Sequence, residues 1–375
     1  MVLSVYMRIL YVITKSEPGG AQSAVSELIK AHVMRGDNVG LIVDKPGWLT
    51  EKAILSGVKV FYNASFSNSV NPFTHIDALT KTYRAIKTFL PDVISTHSFA
   101  GGVQGRLASL GSSVKRVHTL HGVSFTSGTP LWRKVVALLW EGVLGLYTHS
   151  IVTVSLNDAR LTSLYLPFLK KKIITIHNGV DVSLRSVTFE NTPPYTLIYV
   201  ARMAIPKTPW RLIEAMKGLP VEIQSQFNIV FVGDGPYLWN LKSEAKIHIP
   251  HVKVEYTGML PREEIRDKML SSHAFIFTSQ WEGFPMVILE ALACGLPVFA
   301  SNVGGVSEVV DETVGALLDV KDEVGSLRTH LERITTQSLI LSHMSVAAKE
   351  KIKTHFTGDM MTKKTLNTID MLLKK

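Results

Sequence analysis

Two carboxylates eight positions apart, Glu282 and Glu290, bracket the stretch Glu282-Gly283-Phe284-Pro285-Met286, which runs on as Val-Ile-Leu to Glu290. Carboxylates accept hydrogen bonds from hydroxyls and are poor ligands for phosphate. Between them the residues set up an anion site. The apolar run Ala274 to Thr278 suits a buried parallel strand, Gly283 allows a sharp turn, Pro285 presets the first helical position, and Gly295 with Pro297 ends the helix. A helix N-terminus just past a strand's carboxyl end presents free N–H groups and the positive end of its dipole, which favour phosphate. Phosphate-binding amides flanked by hydroxyl acceptors describe a ligand carrying both groups, as a nucleotide sugar does. The two glutamates alone read as a surface turn and a solvated helix face; the strand before them and the Gly-x-Pro exit after them favour a site.

Residues of matching chemistry recur at the ends of other apolar runs. After Tyr195 to Val200 come Arg202 and Lys207, then Thr208-Pro209, an N-cap and first-turn pair. Paired cations at a strand end are what a departing diphosphate needs as its charge grows; two solvated surface cations are the other reading. Gly19 and Gly20 join a first strand, Ile9 to Ile13, to a helix carrying Ala21, Val25, Leu28 and Ile29. Such a pair admits close approach to an anion or is simply a turn. Gly233-Asp234-Gly235-Pro236 follows the strand Asn228 to Val232 as a partial G-x-G-x-x-G without the third glycine, a weak dinucleotide signal. His97 and His121 end the strands Val93 to Thr96 and Arg116 to Leu120, whereas His118 lies within the second, which points to packing. The sequence has no H-E-x-x-H, no paired cysteines and no D-x-D, so no metal is expected.

The elements that position these residues alternate strand and helix along the chain, which implies parallel doubly wound sheets with ligands at strand carboxyl ends. A chain of 375 residues is long for one core, so two α/β domains are expected. The residues after Glu308 read as helical. Net charge is +9, from 40 Lys+Arg and 31 Asp+Glu, but it is dispersed and lacks the aromatic-basic interleaving of a nucleic-acid surface. The single cysteine, Cys294, fits a reducing compartment and a small buried apolar position. No apolar run reaches the ~18 residues of a membrane span. The opening seven residues lack a basic n-region and a cleavage site, and Met7 is a second candidate start. Leu131 to Tyr147 is a strongly apolar helix bearing Trp132, Arg133, Lys134 and Trp140. It is expected to pack beneath a strand, with an interfacial membrane contact as the alternative.

Glu282-Gly283-Phe284-Pro285-x4-Glu290 resembles the E-x7-E signature of retaining, GT-B-fold glycosyltransferases of family 4 (glycosyl transferases group 1). The resemblance extends over most of the chain. Gly19-Gly20, Asn178-Gly179-Val180-Asp181 and Gly233-Asp234-Gly235-Pro236 match, and Arg202-x4-Lys207 resembles G-R-x4-K with Ala201 where glycine is common. It implies an α/β GT-B fold, two Rossmann-like doubly wound parallel-sheet domains facing a cleft. These would comprise 1–182 on the acceptor side, a linker over 183–194, a nucleotide-sugar-binding domain over 195–355, and a last helix over 356–375 crossing back.

The implied reaction moves a hexosyl or N-acetylhexosaminyl group from a nucleoside diphosphate sugar, UDP favoured, to a hydroxyl acceptor with retention. Arg202 and Lys207 would stabilise the diphosphate, aided by Gly19, Gly20 and the segment Gly283, Phe284, Pro285, Met286. Glu290 would hold ribose, Glu282 the donor sugar, and Gly233 with Gly235 would sit near the base. His121 would contact the reacting sugar, and His97 would line the acceptor side. No cofactor or metal is implied. The implied partners are the donor, a hydroxyl acceptor such as a lipid-linked glycan of cell-envelope polysaccharide, and an anionic membrane surface; the implied location is cytoplasmic, peripheral on the inner face. A GT-B-fold UDP-sugar epimerase and a non-catalytic sugar-nucleotide-binding protein are the alternatives.

Overall fold

The computed structural model describes residues 6–66, 72–126 (backbone only at 72 and 73), 128–182, 187, 192–337 and 339–374. Most of the segment expected as linker lies outside the described residues, as does Met1. The chain divides into two compact units, Met1–Asn178 with Gly358–Lys375, and Gly179–Thr357.

In the first unit strands and helices alternate as β1 (Arg8–Val12), α1 (Gly20–Arg35), β2 (Asn38–Val43), α2 (Trp48–Leu55), β3 (Lys59–Tyr62), α3 (Pro72–Phe89) and β4 (Val93–His97). They continue as α4 (Phe99–Ala108), β5 (Lys115–Leu120), α5 (Leu131–Leu146), β6 (Ser150–Thr153), α6 (Leu156–Tyr165) and β7 (Ile173–Thr175). The parallel sheet has the order β3-β2-β1-β4-β5-β6-β7. Its strands β1 and β2 are near-continuous apolar runs because both faces are covered. Ile9, Tyr11 and Ile13 project to one side, into a cluster with Val25, Leu28 and Ile29 of α1; Leu10 and Val12 project to the other, against Ile86 and Phe89 of α3.

The second unit runs β8 (Tyr195–Val200), α7 (Trp210–Lys217), α8 (Val221–Gln224), β9 (Phe227–Val232), α9 (Leu238–His248), β10 (Lys253–Gly258) and α10 (Arg262–Leu270). There follow β11 (Ala274–Phe277), α11 (Met286–Ala293), β12 (Val298–Ser301), β13 (Gly315–Leu318), α12 (Glu323–Thr336) and α13 (Ile340–His355). Its parallel sheet has the order β10-β9-β8-β11-β12-β13. Leu197, Tyr199, Leu212 and Phe231 anchor its core. The last helix, α14 (Gly358–Leu373), belongs to the first unit.

Three expectations are corrected. The residues after Glu308 are not all helical: β13 closes the sheet edge, and at Gly315 (φ +159°) a Cβ would stand 1.8 Å from the Val298 carbonyl oxygen. Ala316-Leu317-Leu318 are good helix formers, and tertiary pairing overrides that preference. Pro285 caps α11 instead of opening it, with φ −73° and ψ 114° in the extended region. Most importantly, α5 does not pack away its apolar surface. It buries Ala137, Glu141, Gly142, Leu144 and Gly145, while Leu131, Trp132 and Leu139 stay 77%, 63% and 63% exposed.

Candidate active site

In each sheet the strand order reverses around the first strand of its unit, and doubly wound folds bind ligands at the carboxyl ends of the strands flanking such a switch point. In the second unit those strands are β8 and β11. The loops that leave them are zipped together. Thr208 N–H donates to the Thr278 carbonyl at 3.1 Å and Gln280 N–H to the Pro206 carbonyl at 2.9 Å, with Lys207 and Ser279 paired between them. Thr278 Oγ1 donates to the Thr208 carbonyl at 2.7 Å, and the buried Tyr199 hydroxyl donates to the Thr278 carbonyl at 2.7 Å.

This zipper brings Lys207 onto Glu282. Lys207 Nζ ion-pairs with Glu282 Oε1, which also accepts from Ser279 Oγ at 2.6 Å, and Nζ sits 4.1 Å from the centre of the Phe277 ring. Burial lowers the Lys207 pKa and the nearby Arg202 charge pushes the same way, while Glu282 opposes both. Arg202 itself is exposed. A mainly buried ammonium held by one carboxylate, with a second cation beside it, is a cationic seat whose internal partner an anionic ligand can replace.

The glycine that shapes this turn is Gly304, not Gly283. Gly304 has φ +56° and a Cβ there would lie 1.9 Å from the Glu282 carbonyl oxygen, whereas Gly283 is not among the residues with positive φ. Gly305 N–H donates to the Gly283 carbonyl at 2.8 Å, and Ser301 Oγ accepts from Ser279 N–H at 2.8 Å while bonding Glu323, the partner of Arg211. Gly233 and Gly235 also prove to be packing glycines. Their φ values are +126° and +155°, and Cβ atoms there would meet the carbonyl oxygens of Ala201 and Met203 at 2.0 and 2.5 Å. They press one glycine loop against the loop carrying Arg202.

Glu290 lies just over one turn into α11 and pairs with Arg262 at the start of α10. Burial raises its pKa, and Arg262 offsets that. Phe284 and Met286 are buried, with Phe284 5.8 Å from the Phe356 ring. Cys294 is buried, which pushes its thiol up to about 11 and leaves it inert.

In the first unit the switch point lies between β1 and β4. Gly19 caps α1 in an extended conformation (φ −176°), so the backbone there does not require glycine. Across from it Ser98 takes φ +64°, held by Thr14 Oγ1 at 2.7 Å. His97 does not line a surface as expected: it is fully buried, with Nε2 3.0 Å from Ser95 Oγ and Nδ1 2.9 Å from His121 Nε2. His121 is partly exposed, and burial, aided by the His118 charge, pushes its pKa down to about 4. His118 is buried, with Nδ1 2.9 Å from Thr96 Oγ1 and Nε2 3.5 Å from Glu141.

Thus Lys207, Glu282 and Arg202 gather at one strand end, with Gly283 to Met286 continuing into α11. Ser279, Phe277 and Arg262 were not singled out from sequence. Ser279 carried the only readable signal, as the hydroxyl three residues before Glu282. Among the described residues no group of three or more His, Cys, Asp and Glu side chains is placed to hold a metal.

Two doubly wound units with a cation–carboxylate cluster at a switch point define the class: a GT-B glycosyltransferase. The family model described as Glycosyltransferase Family 4 matches residues 18–184, and that described as Glycosyl transferases group 1 matches 183–351. The chain belongs to the group 1, family 4 glycosyltransferases. It is 26% identical over 353 residues, 90% of each chain, to the Escherichia coli UDP-Gal:alpha-D-GlcNAc-diphosphoundecaprenol alpha-1,3-galactosyltransferase. It is 27% identical over 316 residues, 84% of this chain and 87% of the other, to the O-antigen biosynthesis glycosyltransferase WbnH of the same organism. The Anabaena HepE structure with UDP and glucose shares the fold with a TM-score of 0.80 at 19% identity, over 97% of this chain and 100% of that one.

Proposed function

We propose that the protein transfers a hexosyl or N-acetylhexosaminyl group from a UDP-sugar to a hydroxyl of a lipid-linked glycan, with retention and without a metal. The Lys207–Glu282 pair beside Arg202 carries this reading. As the bond to the diphosphate breaks, charge accumulates on the leaving oxygens, and Lys207, Arg202 and the amides at the start of α11 face that charge. Lys207 exchanges its carboxylate for the diphosphate, and Glu282 turns to the donor hydroxyls. Glu290, released from Arg262, accepts from the ribose hydroxyls. The absence of D-x-D leaves the cations as the clamp. A UDP donor and a diphospholipid acceptor are drawn from the printed names of the relatives. Calorimetry with UDP tests this: Lys207→Met and Glu290→Gln should each weaken binding tenfold or more, since a charged hydrogen bond is worth about 1.5–3 kcal/mol. EDTA should leave wild-type binding and turnover unchanged. Unaltered affinity in both variants, or activity abolished by EDTA and restored by magnesium, would refute the assignment.

The exposed face of α5 supports peripheral attachment to an anionic membrane, on its cytoplasmic side. No helix among the described residues is long and apolar enough to cross a membrane. α5 is inside out: its one carboxylate, Glu141, faces the protein, and its outer face presents Leu131, Trp132, Val135, Leu139, Val143 and Leu146. Arg133 and Lys134 frame one end, and exposed Phe168 with Lys170 and Lys171 flank the other. Apolar residues inside a basic frame suit the lipid interface, with about 1 kcal/mol per nearby cation that fades with salt. Flotation should recover the protein with anionic liposomes at low salt and lose it in Arg133→Glu/Lys134→Glu. Equal recovery in the soluble fraction with anionic and neutral vesicles would end this reading.

A further inference from the structure

A cavity of about 790 Å³ lies between α3, α4 and α5, walled by Leu79, Phe99, Val103, Leu107, Val136 and Trp140. Its volume is in the range of about 300–1,000 Å³ that holds small-molecule ligands. It opens beside the exposed apolar face of α5, since Trp132, Phe99 and Ile76 both line it and reach solvent. Ser65, His75, Gln104, Ser124 and Arg133 break its apolar wall. Gln104 is 7% exposed; its Nε2 lies 3.5 Å from His75 Nδ1, and its Oε1 has no partner. Arg133, at the rim and 5.1 Å from the Trp132 ring, is the one charged side chain among the described lining residues, which include no carboxylate. The cavity therefore offers hydrocarbon contact inside and an unopposed cation at the mouth.

We infer that this groove seats the single hydrocarbon chain of a phosphate-linked lipid, with Arg133 on the phosphate. The inference rests on the lipid-linked acceptor proposed above and gives that acceptor's carrier a place in the first unit. An interfacial helix is the natural entrance, because a chain leaving the bilayer along α5 stays against apolar side chains until it reaches Trp140.

The test is calorimetry on the full chain with dodecyl phosphate below its micelle concentration, dodecanol, inorganic phosphate and dioctanoyl phosphatidylglycerol. Dodecyl phosphate should bind at least tenfold tighter than inorganic phosphate. Val103→Trp, which fills the groove, should abolish that preference. Arg133→Ala, on the exposed rim and safe for folding, should weaken dodecyl phosphate tenfold and leave dodecanol unchanged. UDP affinity, measured on the same samples, should not move in either variant. Dodecyl phosphate no tighter than phosphate, or an Arg133→Ala variant that binds it like wild type, would overturn the proposal. Tighter binding of the two-chain phosphatidylglycerol would overturn the single-chain occupant. Chain binding lost with UDP binding intact rejects the groove alone, and chain binding intact with no UDP binding rejects the donor reading alone.

Discussion

His97 and His121 share one hydrogen between Nδ1 and Nε2 at 2.9 Å, so the protonation of one ring sets the tautomer of the other. Ser95 Oγ holds the far nitrogen of His97, and Tyr11 stacks on its ring at 5.7 Å. His97 is thus a positioning residue for His121. Burial lowers the pKa of both rings, His121 to about 4 and His97 well below its ordinary value. The unfolded chain, with histidines near 6.5, then binds more protons than the folded one at mildly acid pH. Stability from this pair is complete above about pH 6.5 and is lost as pH falls toward 4. The melting temperature should therefore drop between pH 7 and pH 5, and His97→Gln/His121→Gln should flatten that dependence. An unchanged slope in the double variant would assign it to other groups. Sequence reading reached Lys207, Glu282 and His121 because each follows an apolar strand at a motif spacing. It missed the Arg262–Glu290 pair and the burial of His97, because both depend on which elements lie side by side, and no local pattern encodes that.

The strands were legible as elements because buried parallel strands are unbroken apolar runs, and the observed bounds of β1, β8 and β11 fall within a residue of those runs. α5 was not legible, because an apolar helix reads the same whether it faces a sheet or a lipid. What orients it is the Arg106–Glu141 pair: Arg106 of α4, fully buried, donates from Nη1 and Nη2 to the two carboxylate oxygens at 2.9 Å each. Burial opposes the charge on Glu141, but His118 and Arg106 outweigh it and hold the carboxyl far below its usual range. Removing one partner leaves the other charged and buried. Glu141→Ala should cost about 3–5 kcal/mol in urea unfolding, more than any truncation on the outer face of α5, such as Leu139→Ala, which should stay within about 0.5 kcal/mol. Equal losses at the two positions would show that α5 is held by its apolar surface after all.

At the scale of the whole chain, the first unit is built from two separated segments. Residues Gly358–Lys375 complete it from the far end of the sequence. Ile369 is fully buried and Met361 nearly so, both in the cluster shared with α1, and Asp370 accepts from Arg35 Nη1 at 2.9 Å. The same Arg35 pairs with Asp37, so one guanidinium ties α14 to the end of α1 and the start of β2. The stability of the first unit consequently depends on residues synthesised after the whole second unit. Ile369→Ala removes a core side chain and should destabilise the first unit by about 2–5 kcal/mol. Under the proposed function UDP binds residues of the second unit and stabilises the state it binds. Calorimetric melting should then resolve two transitions, with Ile369→Ala lowering one and UDP raising the other. If the substitution and the nucleotide move a single common transition, the two units unfold as one cooperative body and the separate dependence on α14 is wrong.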